Sequence, residues 1–314
     1  MEPPFKFCRA GAFIAGQRPP VENKRSEKAA AALAQESRRR ACEGCGAALA
    51  ARGVVGAALR ATGDRAIVVD ATGCLEVSSA SGPGTPPSIP AIRSLAGNAA
   101  AVASGVVAGF RAKGRADVRV IAQGASGGIG FGIFSGMFDR DDDVLYVCYD
   151  SAAYMNACVA RPGLATAVGA GPRDLAGHGR CLPLIALAHG IPYVATASVA
   201  DLGDLERKVA RAMGLKGARY LHVHVPCPLG CDTAAEDAVR TARLAVESGL
   251  FPLFEAEHGE ITARTRLDRK RPVAECFESQ RRRAGPSGAT PDAARLAAIQ
   301  AVADRNIARF GLLD

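Results

Sequence analysis

The sequence contains no tryptophan, and aromatic residues make up only 5% of its 314 residues. This scarcity argues against an aromatic-rich β-sandwich, whereas 35 glycines and abundant alanine favour close packing of helices on a sheet. Hydrophobic residues at 48% and charged residues at 22% exclude a disordered chain. A chain of this length can form one large α/β domain or two smaller ones.

The sequence also lacks a recognisable export or membrane signal. Residues 1–5 show no charged region followed by an apolar run. The apolar stretch 182–200 is interrupted by Pro183, His189 and Pro192, so it predicts a buried helix–strand unit rather than a membrane span. We therefore expect a cytoplasmic protein without a membrane partner.

The net charge of +8 comes largely from two basic segments. Residues 24–40 hold six Lys or Arg against two Glu, and residues 264–283 hold eight against three acidic residues. Such segments are either solvated helix ends or contacts to an acidic or phosphate-bearing partner. No aromatic residues alternate with these charges, which argues against a nucleic-acid groove.

Strand and helix signals alternate through the middle of the chain. Short β-branched runs predict strands at 66–69, 118–121, 144–148, 193–196 and 220–225. Helical segments are expected at 24–40, 98–113, 128–138, 183–189 and 201–213. This order predicts an α/β fold, a parallel sheet with helices on both faces. We divide the chain into an N-terminal arm and basic helix (1–40), a main domain (41–285) and a C-terminal helix (286–314).

Cysteines cluster at the predicted ligand edge of this sheet. Cys42 and Cys45 form a C-x-x-C motif, and Cys74 and Cys227 each follow a predicted strand. Ligands of such sheets bind beyond the carboxyl ends of the strands. Four thiolates there suit a [4Fe–4S] cluster or a tetrahedral zinc ion, while the C-x-x-C alone would also suit a redox pair. Cys231 is the alternative to Cys227 as the fourth ligand.

Other candidate side chains have plainer interpretations. Cys148 lies inside a predicted strand and is expected in the core. His189 ends an Ala-rich helix and is expected to be structural. His222 and His224 point to one side of a strand, which predicts a core or interface pair rather than a metal site.

Nine segments, in order along residues 40–285, resemble the β subunit of 2-oxoacid:ferredoxin oxidoreductases of the pyruvate synthase type. They are 41–46 (ACEGCG), 71–77 (ATGCLEV), 97–101 (GNAAA), 146–150 (YVCYD), 153–156 (AYMN), 189–198 (HGIPYVATAS), 226–228 (PCP), 249–253 (GLFPL) and 271–273 (RPV).

The resemblance implies a thiamine diphosphate-binding fold and a [4Fe–4S] cluster on Cys42, Cys45, Cys74 and Cys227. It implies α-, γ- and δ-type partner subunits, one of which supplies the glutamate that activates the cofactor, so the chain would be active only in the complex. The activity implied is oxidative decarboxylation of a 2-oxoacid, to acyl-coenzyme A or CO₂, with electrons passed to ferredoxin. Asn156 would lie near the reacting centre.

The resemblance also implies a diphosphate and Mg²⁺ site, and here the sequence departs from the family. The cofactor-binding candidates are Gly73, Gln123, Gly124, Ser126, Gly127, Gly128, Ser151 and Ala153. The Gly-rich turn can bring backbone N–H groups to a phosphate. Gln123, however, stands where the family has an aspartate ligand to Mg²⁺, which prefers anionic oxygen. The alternative function is therefore a non-catalytic electron-transfer or scaffold subunit with a degenerate thiamine diphosphate site.

Overall fold

The computed structural model describes residues 41–79, 89–125, 130–151, 181–228, 234–278 and 293–313. The predicted basic helix at 24–40 lies outside these residues.

The described core is one eight-stranded sheet. Its strands, in chain order, are β1 Ala66–Ala71, β2 Ala91–Ser94, β3 Arg119–Ala125, β4 Val144–Asp150, β5 Tyr193–Ser198, β6 Arg219–His224, β7 Phe254–Glu257 and β8 Glu260–Arg264. They lie side by side in the order β2-β1-β3-β4-β6-β5-β7-β8. The pairings among β1 to β6 are all parallel, which confirms the predicted sheet.

Strands β7 and β8 form an antiparallel hairpin at one edge of the sheet. The sequence pattern did not predict them, nor did it predict β2. Every residue of β8 is exposed, and only one residue of β2 is buried. Exposed edge strands lack the continuous apolar run that identifies a buried parallel strand.

Nine helices surround the sheet in the described residues. They are α1 Gly46–Thr62, α2 Cys74–Ser79, α3 Ala99–Ala112, α4 Phe131–Asp139, α5 Leu182–Ala188, α6 Leu202–Gly214, α7 Ala238–Glu247, α8 Ala274–Glu278 and α9 Ala293–Phe310. One core cluster joins α1, α2 and α6 to one face, and a second joins α3, α4 and α5 to the other. The predicted α/β class with helices on both faces is therefore confirmed.

Helix α1 was not predicted from the sequence, although it follows the C-x-x-C motif directly. It is rich in alanine, and its buried face includes Ala50, Val54 and Ala58. It ends at Gly63, which has φ +58° and donates its backbone N–H to the Leu59 carbonyl. Glycines within the helix weakened the propensity signal.

An ionic cluster closes the amino-terminal edge of the sheet. Asp143, just before β4, accepts from Arg119 Nη1 at 3.0 Å and from Arg219 Nη2 at 2.7 Å. Arg219 is fully buried, and burial lowers the pKa of its guanidinium to about 10 while Asp143 opposes that shift. The cluster joins the starts of β3, β4 and β6, at the edge opposite the cysteines.

None of the helices within the described ranges combines the length and apolarity that a membrane crossing requires.

Candidate cysteine and cofactor site

The C-x-x-C loop packs directly against the chain that leaves β6. Cys45 donates its backbone N–H to the Cys42 carbonyl at 3.1 Å, which closes a turn. Gly46 then donates its N–H to the Pro226 carbonyl at 3.3 Å, one residue before Cys227. A Cβ at Gly46 would lie 2.8 Å from Pro226 O, so only glycine permits this approach. Two of the predicted ligand segments are thus brought together by backbone contacts.

Gly44 fixes the other side of the same loop. Its φ is +68°, and a Cβ there would overlap the backbone of Ala235. Both restrictions favour glycine between and after the two cysteines. The C-x-x-C backbone is therefore held between the segment after β6 and the segment that leads into α7.

Cys74 comes to the same place through α2. This helix begins at Cys74, and its Leu75 belongs to the core cluster that contains Ala51 and Val54 of α1. Although Cys74 reaches the surface, desolvation raises the pKa of its thiol, and Cys227, Cys45 and Cys42 raise it further. The Cys74 thiol therefore lies within electrostatic range of the other three predicted ligands.

A group that suits these four thiols must be soft and positively charged. Mutual repulsion disfavours four thiolates without a cation, and iron or zinc relieves it. Across the described part of the chain, no three His, Cys, Asp or Glu side chains are placed to hold one metal ion. Four thiolates can hold either a [4Fe–4S] cluster or a tetrahedral zinc ion.

A cavity of about 420 Å³ opens beside the C-x-x-C loop. Its wall includes Cys42, Cys45, Arg52, Val199 and Val239. The site is thus open to solvent on the side of α1 and α7.

The remaining described cysteines lie elsewhere. Cys148 is fully buried in β4, as expected of a core residue. Burial raises the pKa values of Cys181 and Cys276 to about 11, and none of the four candidate ligands contributes to either shift. The alternative ligand Cys231 lies outside the described residues.

Gln123 is engaged inside the sheet. Its side-chain Nε2 donates to Asp70 Oδ1 at 2.7 Å, and its Oε1 accepts from the Tyr149 hydroxyl at 2.8 Å. Desolvation, followed by Asp70 and Cys148, raises the pKa of Tyr149 well above its usual value, so the hydroxyl stays a donor. The amide that was predicted to bind Mg²⁺ does not fit that role in this arrangement.

Other predicted cofactor residues lie along the same edge. Gly124 is in β3, where a Cβ would lie 3.0 Å from the Ala71 Cβ, and Ser151 follows β4 half-buried. Gly73 precedes Cys74 and has open space around it. The candidates Ser126, Gly127, Gly128, Ala153 and Asn156 lie outside the described residues.

Two buried histidines of β6 lie on the face of the sheet opposite to the Gln123 side chain. His222 lies between the Tyr220 hydroxyl at 2.7 Å and Asp150 at 3.2 Å. Burial lowers its pKa, but Cys148 and Asp150 outweigh this and raise it to about 10. Burial lowers the pKa of His224 to about 4, so its ring is neutral near pH 7. Both side chains belong to the core, which agrees with the plainer interpretation of the pair.

His189 joins two helices. Its Nε2 lies 3.1 Å from Ser135 Oγ, and its Nδ1 lies 2.9 Å from Asp139 Oδ1. It thereby links the end of α5 to α4, as a structural residue would.

The contacts of Asp70 and Tyr149 with Gln123 were not predicted from the sequence. Asp70 ends the run that predicted β1, and Tyr149 lies directly before Asp150 at the end of β4. A polar residue after a buried parallel run was the available signal, but only the side-chain contacts reveal their shared partner.

The chain is similar to curated subunits of 2-oxoacid oxidoreductases, although no family model matches it. It is 39% identical over 254 residues to pyruvate synthase subunit PorB of Methanothermobacter marburgensis, with 77% of this chain and 87% of the relative covered. It is 39% identical over 284 residues to pyruvate synthase subunit PorB of Methanosarcina barkeri, with 86% of this chain and 94% of the relative covered. It is 33% identical over 249 residues to ketoisovalerate oxidoreductase subunit VorB of Pyrococcus horikoshii, with 74% of this chain and 78% of the relative covered.

Among solved structures, the chain resembles a 2-oxoglutarate:ferredoxin oxidoreductase from Magnetococcus marinus. The TM-score is 0.48 at 23% identity, with 64% of this chain and 76% of that chain covered.

Proposed function

This chain belongs to the β subunits of thiamine diphosphate-dependent 2-oxoacid:ferredoxin oxidoreductases, and from that premise we propose that it carries their electron-accepting [4Fe–4S] cluster. The ligands are Cys42, Cys45, Cys74 and Cys227. The reaction is oxidative decarboxylation of a 2-oxoacid, with electrons leaving the cluster towards ferredoxin. Acyl transfer to coenzyme A completes the reaction.

The observation that carries this proposal is the backbone contact between the C-x-x-C loop and the segment before Cys227, at the carboxyl edge of the sheet. The Gly46–Pro226 hydrogen bond holds the C-x-x-C motif beside Cys227, and α2 packs against α1 to bring in Cys74. Ligands in parallel α/β sheets bind at this edge. A cluster here would lie close to a cofactor bound at the ends of β3 and β4.

The chain's own residues hold and partly enclose the cluster. Gly44 and Gly46 permit the tight backbone approaches that orient Cys42 and Cys45. The cavity beside the loop leaves one side of the thiol group accessible, where a partner subunit or ferredoxin could approach.

Thiamine diphosphate, when bound in the complex, supplies the carbanion that cleaves the bond to the 2-oxoacid carboxylate. We assign its diphosphate to the Gly-rich turn that follows Gly124, and Asn156 to the reacting centre. The complex includes α-, γ- and δ-type subunits. A cytoplasmic location fits thiolate ligands, which a reducing compartment keeps free of disulfides.

A second candidate is favoured by the hydrogen bonds of Gln123. Because both ends of this amide have protein partners, the Mg²⁺ position is altered. The chain would then be an electron-transfer or scaffold subunit without its own thiamine chemistry.

The test is substrate-dependent reduction of the assembled complex. We expect the complex, co-purified anaerobically with its partner subunits, to contain thiamine diphosphate and to bleach in the visible when a 2-oxoacid is added. Pyruvate and a branched-chain 2-oxoacid should be compared, since the relatives differ in this respect by name.

Three outcomes separate the candidates. Bleaching by a 2-oxoacid supports the catalytic role. Iron at about four atoms per chain without thiamine diphosphate, and without bleaching by substrate, supports the electron-transfer role. A colourless complex with zinc on this chain contradicts both, because zinc is redox-silent.

A further inference from the structure

We propose that the buried hydrogen-bond chain from Tyr149 through Gln123 to Asp70 replaces a divalent cation at this edge of the sheet. The protein then needs no Mg²⁺ bound by residue 123 for its stability. This inference does not rest on the proposed cluster.

The three side chains lie on one face of three adjacent strands. Asp70 and Gln123 are direct partners in the β1–β3 register, and Tyr149 follows on β4. They are 2%, 2% and 3% exposed, so water contributes little to their hydrogen bonding. Buried polar groups of this kind require protein partners, and here they have them.

The donor-to-acceptor direction of these two hydrogen bonds requires an amide at position 123. The Tyr149 hydroxyl donates to Gln123 Oε1, and Gln123 Nε2 donates to the Asp70 carboxylate. A carboxylate at position 123 could accept from Tyr149 but could not donate to Asp70. Two buried carboxylates would then face each other, which is unfavourable unless a proton or a cation lies between them.

Further hydrogen bonds hold the end of β1, where Asp70 lies. Ser94 Oγ donates to the Asp70 carbonyl at 3.1 Å, and Thr72 Oγ1 donates to the Ser94 carbonyl at 2.7 Å. The end of β1 is therefore held from β2 through its backbone and from β3 through the Asp70 side chain. A cation bound to Gln123 Oε1 would share that oxygen with the Tyr149 hydroxyl and would gain only a neutral ligand.

An isosteric exchange of charge tests the proposal on the full chain in its assembled complex. We expect Gln123→Glu to lower the melting temperature in chelator by about 5 °C or more, because it faces Asp70 with a second carboxylate. The double variant Asp70→Asn with Gln123→Glu reverses the two roles, since the new amide at position 70 can donate to the new carboxylate at position 123. It should recover most of the loss.

Magnesium supplies the second arm of the test. The melting temperature of the wild type should be the same in chelator and in excess Mg²⁺, whereas the Gln123→Glu variant should rise on addition of Mg²⁺. Stabilisation of the wild type by Mg²⁺ would overturn the proposal, as would a double variant no more stable than the single one. If Gln123→Glu fails to fold, the proposal is still tested by the response of the wild type to Mg²⁺ and by whether the double variant folds.

Discussion

The Cys74→Ser variant of the full chain should lose the proposed cluster and, with it, about four iron atoms per chain relative to the wild-type complex. Desolvation raises the pKa of the Cys74 thiol, and Cys227, Cys45 and Cys42 raise it further, so Cys74 is the candidate ligand with an electrostatic link to each of the others. A serine hydroxyl is far less acidic than a thiol and is a poor ligand for iron. We expect cluster content to fall about tenfold or more, measured as iron and acid-labile sulfide.

Cys181→Ser is the matched control. Its thiol is also a described, partly buried cysteine, but its pKa responds to burial and to Arg309 rather than to the four candidate ligands. This variant should keep the iron and sulfide of the wild type. Full retention of iron in Cys74→Ser would contradict the ligand assignment.

The largest effect on stability is expected at Asp143. The carboxylate of Asp143 pairs with Arg119 and with the fully buried Arg219. Removing it in Asp143→Ala leaves a buried guanidinium without its counter-charge, which costs about 3–5 kcal/mol. The measurement is the free energy of unfolding of the full chain in urea.

Asp117→Ala provides the comparison for that variant. Asp117 pairs with Arg115, and both side chains are 41% exposed. Exposed pairs contribute about 0–1 kcal/mol, so this change should alter stability little. Equal effects of the two substitutions would show that the buried ionic cluster does not stabilise the sheet.

The central parallel strands could be predicted because burial on both faces leaves continuous apolar runs in the sequence. β4, β5 and β6 are buried at every position. The edge hairpin carries no such run, because charged residues alternate with apolar ones in β7 and every residue of β8 is exposed. The predicted β1 run, 66–69, lies within the observed strand Ala66–Ala71, whereas the α1 helix that precedes it was not predicted.

The position of the candidate cysteines at the edge of the sheet could be predicted for a different reason. Strand ends and the C-x-x-C spacing are local features, so Cys74 and Cys227 could be placed at one edge from sequence alone. The role of Gln123 could not, because its hydrogen bonds depend on Asp70 and Tyr149, which are distant in sequence and meet only across the sheet. The identity of residue 123 alone does not indicate which side chains its amide contacts.

Anomalous X-ray scattering at the iron absorption edge, measured on crystals of the assembled complex, locates the iron relative to the four cysteines. We expect one compact iron peak surrounded by the sulfurs of Cys42, Cys45, Cys74 and Cys227. This expectation is contradicted if no iron lies between these residues, or if Cys227 lies away from a peak that the other three surround.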